Sequence, residues 1–123
     1  MENQLTPKEL AIEIIQILNE KNAADIKLLH VTDKTIIADY FIICSGLSNT
    51  QVKSFTGEVE YKMGLKEIKP HHIEGYNEAS WVVLDYRSVI VHVFYKDTRE
   101  FYGLEKLWSD AEEVDISHLL TEK

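Results

Sequence analysis

No run of about 18 consecutive apolar residues occurs in this 123-residue chain, so no segment reads as a membrane span. Cysteine is almost absent. The single thiol, Cys44, cannot close an internal disulfide and lies in an apolar, strand-like run, which points to a reduced, buried thiol and a cytoplasmic setting. Met1-Glu2-Asn3-Gln4 is polar and lacks the basic head and apolar stretch of a secretory signal. Positive charge is scarce too: 13 Lys and Arg face 21 Asp and Glu, a formal net charge of −8. Such a surface repels phosphate at range, so little or no direct nucleic-acid binding is expected, whereas a basic protein would be steered toward it. There is no internal repeat and no low-complexity stretch.

What is present is enough for one domain with an ordinary core, since 45% of the residues are apolar. Leu5-Thr6-Pro7-Lys8-Glu9-Leu10 opens a helix: Thr6 caps, Pro7 suits the first position, Glu9 completes a capping box and Leu5 staples to Leu10. Ile14, Ile15 and Leu18 continue its apolar face to about Asn22. Residues 25–31 read as a strand, and Asp39 to Cys44 as a central strand covered on both faces. Ser48 and Gln51 form a second capping box before a helix carrying Val52, Phe55, Val59 and Met63, with Gly64 placed to end it. His71 to Tyr76 holds a short edge segment. Trp81–Tyr86 and Val89–Tyr95 are strands joined by Arg87-Ser88, an unusual turn pair. Asp97 and Glu100 suggest a third capping box, before a helix running to about Trp108, with Phe101, Leu104 and Trp108 on its core side. The expected fold is α/β, a single-domain mixed sheet flanked by helices, over residues 1–108. An acidic tail would follow over 109–123, anchored by Ile116, Leu119 and Leu120.

No recognisable catalytic set appears. Ser45-Gly46-Leu47-Ser48, between a strand and a helix, could hold an anion as nucleotidyl transferases do, but that chemistry also needs paired carboxylates on a neighbouring strand to hold magnesium. Asp39 and Asp85 stand alone, so a tight turn plus a cap is the plainer reading. His71-His72-Ile73-Glu74 lacks a second ligand cluster, and no metal or cofactor is expected. His92 shares a strand face with Ile90 and Phe94 and could pair with Asp85, but no serine or cysteine stands in a nucleophile context. Trp81 and Tyr86, at the two ends of one strand, are candidate half-exposed contact residues.

Asp39-Tyr40-Phe41-Ile42-Ile43-Cys44-Ser45-Gly46, Ser48, Gln51-Val52, Glu74-Gly75, Trp81 to Tyr86, Val91 to Phe94, Arg99, Tyr102, Leu104-Glu105 and Leu107-Trp108 follow in order. Over residues 5–112 this resembles the ribosomal silencing factor, or Iojap-like, family, except that Arg87-Ser88 replaces a glycine-containing turn. The resemblance implies a nucleotidyltransferase-like fold without catalysis. It further implies binding to the large ribosomal subunit through ribosomal protein fourteen, blocking the small subunit from joining under nutrient limitation. It allows a homodimer as well. The implied partner-binding residues are Trp81, Asp85, Tyr86, His92, Phe94 and Tyr102. Two other readings stand beside it: a nucleotidyl or phosphoryl transferase using Gly46, Ser48 and Asp85, and a self-associating structural module.

Overall fold

A computed structural model of the chain describes residues 5–120. The reading of Met1–Gln4 as a polar start, and the last three tail residues, lie outside that range. Helix α1 (Pro7–Glu20) is followed by strands β1 (Ala24–His30) and β2 (Tyr40–Gly46), then helix α2 (Asn49–Leu65). Strands β3 (His72–Glu74), β4 (Trp81–Asp85) and β5 (Val89–Tyr95) come next, then helices α3 (Lys96–Tyr102) and α4 (Leu104–Leu107). Strand β6 (Glu112–Val114) and a 3-10 turn (Ser117–Leu119) complete the described chain. The six strands form one sheet ordered β3-β4-β5-β2-β1-β6. Only β2 and β5 run parallel, and their partners on either side are antiparallel.

Strand alternation divides the molecule. Leu28, Ile42, Cys44, Val82, Leu84, Val91 and Val93 face α1 and α2 in the larger core. Leu29, Phe41, Ile43, Ile90 and Phe94 face the other way, into a smaller cluster completed by Leu104, with Trp81, Val83 and Trp108 packed at its margin. All seven residues of β2 are buried, as its unbroken apolar run predicts. Cys44 is a free thiol with no exposed surface, and burial pushes its pKa up to about 12, so it stays protonated.

The first capping box is present: Glu9 N–H donates to Thr6 Oγ1 at 3.1 Å, and Thr6 N–H to Glu9 Oε1 at 2.9 Å. The second is half-made. Gln51 N–H donates to Ser48 Oγ at 3.1 Å, but the Gln51 side chain accepts from Leu47 N–H at 2.8 Å instead. Gly64 lies inside α2, which ends one residue later, with Glu67 in the left-handed region at φ 64°. Asp97 caps nothing, because α3 already begins at Lys96 with Tyr95 as N-cap. The expected single last helix is two, broken at Gly103, whose φ of 59° no right-handed helix can carry.

The described residues after 108 are not free of the domain. His30, Leu29 and Leu28 pair with Glu112, Glu113 and Val114, and Ile116 is buried in the helix-side core. A three-residue strand with two exposed glutamates makes a short, charged sheet edge, which resists pairing with other chains.

Candidate functional site

The two faces of the sheet are covered unequally. Two long helices close one face, whereas only the short α3–α4 corner lies over the other. On that second face a continuous strip of rings crosses β4, β5 and β2. Tyr102 packs on Trp81 with ring centroids 5.0 Å apart, and Trp81 stacks on Phe94 at 4.9 Å. His92 meets Phe41 edge-on at 5.0 Å, and Phe41 meets Trp108 at 4.9 Å. Beside the strip, Phe101, Tyr102 and Leu107 are 80%, 53% and 75% exposed. Rings presented on a rigid sheet with part of their surface in water are the usual anchors of protein–protein contacts.

Trp81 is held from several sides. Asn49, at the start of α2, donates through Nδ2 to the Ala79 carbonyl at 3.0 Å, and Tyr95 N–H donates to the Ser80 carbonyl at 2.9 Å. Gly75 has φ 84°, and a Cβ there would collide with the Trp81 carbonyl oxygen, which accounts for glycine at that position. The indole N–H donates to His92 Nδ1 at 3.1 Å. His92 Nδ1 is therefore an acceptor and Nε2 carries the proton, buried with no hydrogen-bond partner. Burial holds the His92 pKa down at about 4, so the ring is neutral.

The expected Asp85–His92 pair is not made. His92 lies opposite Val83, while Asp85 lies opposite Ile90, two residues along the strand. Asp85 Oδ1 instead accepts from Arg87 N–H at 2.7 Å, and Oδ2 lies 3.9 Å from His72 Nδ1. That contact shapes the Arg87-Ser88 turn. Arg87 has φ 72° and Ser88 N–H donates to the Tyr86 carbonyl at 2.9 Å, a strained γ-turn that a glycine would enter more easily. His72 and Glu74 pair opposite Asp85 and Val83, so the ring strip ends in a charged edge on the same face.

Of the six residues the sequence points to, Trp81, Asp85 and Tyr102 reach the surface of this face. His92 and Phe94 belong to it but are buried beneath Trp81's side of the strip. Tyr86 is a correction. It is only 6% exposed and sits in the helix-side core, because it is odd-even out of step with Trp81. Its hydroxyl is buried without a partner, and burial, with the Glu60 charge second, raises its pKa. Phe101 is also corrected, from core to exposed, since the break at Gly103 cancels its helical spacing with Leu104 and Trp108. Val83 was missed, although simple alternation with Trp81 and Asp85 places it on the open face.

At Ser45-Gly46-Leu47-Ser48 the geometry is that of a packed turn and cap. A Cβ on Gly46 would stand 3.2 Å from Gln51, Phe55 and Val52 side-chain atoms, and Ser45 Oγ accepts from Arg99 Nη1 at 2.8 Å. Among the described residues, no group of three or more His, Cys, Asp or Glu is placed to hold a metal ion, and no helix is long and apolar enough to cross a membrane.

Fold and face together define a small six-stranded α/β domain that presents a half-covered aromatic sheet face. The sequence model of the family described as "Ribosomal silencing factor during starvation" matches residues 4–123. The chain belongs to the ribosomal silencing factor family. It is 42% identical over 98 residues to the ribosomal silencing factor of Bacillus subtilis, covering 80% of this chain and 83% of that one. It is 33% identical to the mouse protein called Mitochondrial assembly of ribosomal large subunit protein 1, over 78% of this chain and 43% of the mouse protein. A crystal structure from Bacillus halodurans is similar with a TM-score of 0.80 and 34% identity, covering 89% of this chain and 99% of that one.

Proposed function

We propose that this chain represses translation in the cytoplasm by docking on the large ribosomal subunit through ribosomal protein fourteen and obstructing the small subunit. The observation that carries this reading is the family match over nearly the whole chain, combined with an aromatic face that the fold leaves half covered. The net charge of −8 adds orientation, since a basic ribosomal protein is drawn to an acidic domain and registers against its charged edge. Trp81, Val83, Asp85 and Tyr102 would touch the partner, with His92 and Phe94 fixing the Trp81 ring from below. The mechanism needs affinity and bulk. A body roughly 30 Å across, by the compactness scaling for about 120 residues, does not fit inside a closed interface between subunits.

In this reading the scaffold is nucleotidyltransferase-like, but the chain makes and breaks no bond. The Ser45–Ser48 junction serves the fold: it closes a turn, starts α2 and receives Arg99. Co-sedimentation with separated subunits tests the proposal. The chain should pellet with large subunits and not with small ones, and purified ribosomal protein fourteen should release it. Recovery with the small subunit would refute the docking partner.

A further inference from the structure

We infer that the Arg99–Glu105 ion pair is a positioning device that holds the α3–α4 corner in its docking geometry, an inference that rests on the ribosome-docking reading above. Among the described residues Arg99 is the one buried Lys, Arg, Asp or Glu. Its guanidinium grips Glu105 through two contacts, Nε to Oε1 at 3.0 Å and Nη2 to Oε2 at 3.1 Å. The remaining arm donates to Ser45 Oγ on β2 at 2.8 Å, and Lys27 on β1 reaches Glu105 Oε2 at 3.2 Å. One cluster thus ties α3 and α4 to each other and to two inner strands of the sheet. The hydrogen bonds from Arg99, followed by the Arg99 charge and the Lys27 contact, hold the Glu105 carboxyl below its ordinary pKa against the opposing effect of burial.

The corner needs such a tie. Helices of seven and four residues are too short to be stable alone, and Gly103 between them is the residue type with the most backbone freedom. Phe101 and Leu107 project from this corner largely into solvent, and Tyr102, half exposed, leans on Trp81, so packing alone holds these side chains weakly. Leu104 and Trp108 anchor it apolarly, but contacts of that kind tolerate sliding, whereas a two-contact guanidinium–carboxylate pair fixes angle as well as distance. The cleft around the pair mixes three bases, Lys27, Lys96 and Arg99, with three acids, Asp25, Glu100 and Glu105, and the Glu105 carboxylate fills the arginine fork.

In the full chain, Glu105→Ala is expected to weaken binding to purified large ribosomal subunits about tenfold, by leaving about a tenth of the molecules with the corner in place. Acrylamide quenching of the two tryptophans, Trp81 and Trp108, should rise in the same variant, because both rings contact or flank the corner. Glu105→Gln, which still accepts a hydrogen bond from Arg99, should recover part of both. Val59→Ala, a cavity under the helices on the opposite face, supplies the control and should bind normally once the two variants are compared at equal stability. Equal loss of binding in Glu105→Ala and Val59→Ala at matched stability would overturn the inference. So would undiminished binding by Glu105→Ala alongside a wild type that binds. Should Glu105→Ala fail to fold, Arg99→Lys, which loses the fork but keeps the charge, makes the same comparison. A wild-type chain that does not pellet with large subunits refutes the docking reading itself, a result distinct from failure of the brace.

Discussion

Trp81 and Tyr86 lie five positions apart and point to opposite sides of the sheet, so the two side chains do different work. Trp81→Ala should leave a folded chain whose affinity for the large subunit falls by about 2 kcal/mol or more, as truncation of an aromatic anchor does. Tyr86→Ala should instead lose about 3–5 kcal/mol of stability in urea unfolding, the range for emptying a large aromatic site, while the molecules that remain folded bind normally. His92 carries a pH prediction. Folded, it stays neutral down to about pH 4, whereas the unfolded chain takes up a proton near the ordinary value of 6.5. Between those values the unfolded chain binds the extra proton, so stability falls as pH falls, by on the order of 3 kcal/mol across the window. Urea unfolding of His92→Gln at about pH 7 and about pH 5 should show a flatter pH dependence than wild type. A dependence that the substitution leaves unchanged would place the titration elsewhere. At this scale the sequence reveals which strand face His92 occupies, through the period of two, but not its partner. Reach to Asp85 depends on register, and register is set by the whole sheet.

Elements were legible where local chemistry decides them. The Thr6–Glu9 box, the helix face of Ile14 and Leu18, and the apolar run of β2 each read directly from residue type and spacing. The last third was harder, because its boundaries are set by backbone conformation. Gly103 could be read as an interior glycine, yet its left-handed φ splits the helix, and no side-chain pattern marks that. Gly75 and Gly103 make the point testable. A Cβ at Gly103 has only a Lys106 carbon at 3.9 Å, so Gly103→Ala should cost just the left-handed backbone term, about 1–2 kcal/mol. Gly75→Ala adds a collision with the Trp81 backbone, so its thermal midpoint should fall further and its tryptophan emission should shift. Equal midpoints for the two variants would contradict the close approach at Gly75.

For the whole molecule, the mixed sheet and its flanking helices follow from element order, but the strand order does not. The β2–β5 pairing joins segments more than forty residues apart in parallel, and β6 returns from the chain's acidic end to pair with β1. Charge counting marks residues 109–123 as an acidic tail, with Ile116, Leu119 and Leu120 as its obvious apolar anchors. Within the described part of that stretch, Glu112–Val114 pairs with β1 all the same, as a short charged edge strand can. The unequal covering of the two sheet faces is likewise a property of the assembled fold: it arises because two long helices fall on one side and two short ones on the other. The central claim, that this face docks the chain where it obstructs subunit joining, is tested most directly by light scattering on purified subunits. Large subunits preloaded with the wild-type chain should fail to join small subunits in proportion to the fraction occupied, and Trp81→Ala should restore joining. Normal joining at full occupancy by the wild-type chain would contradict the account.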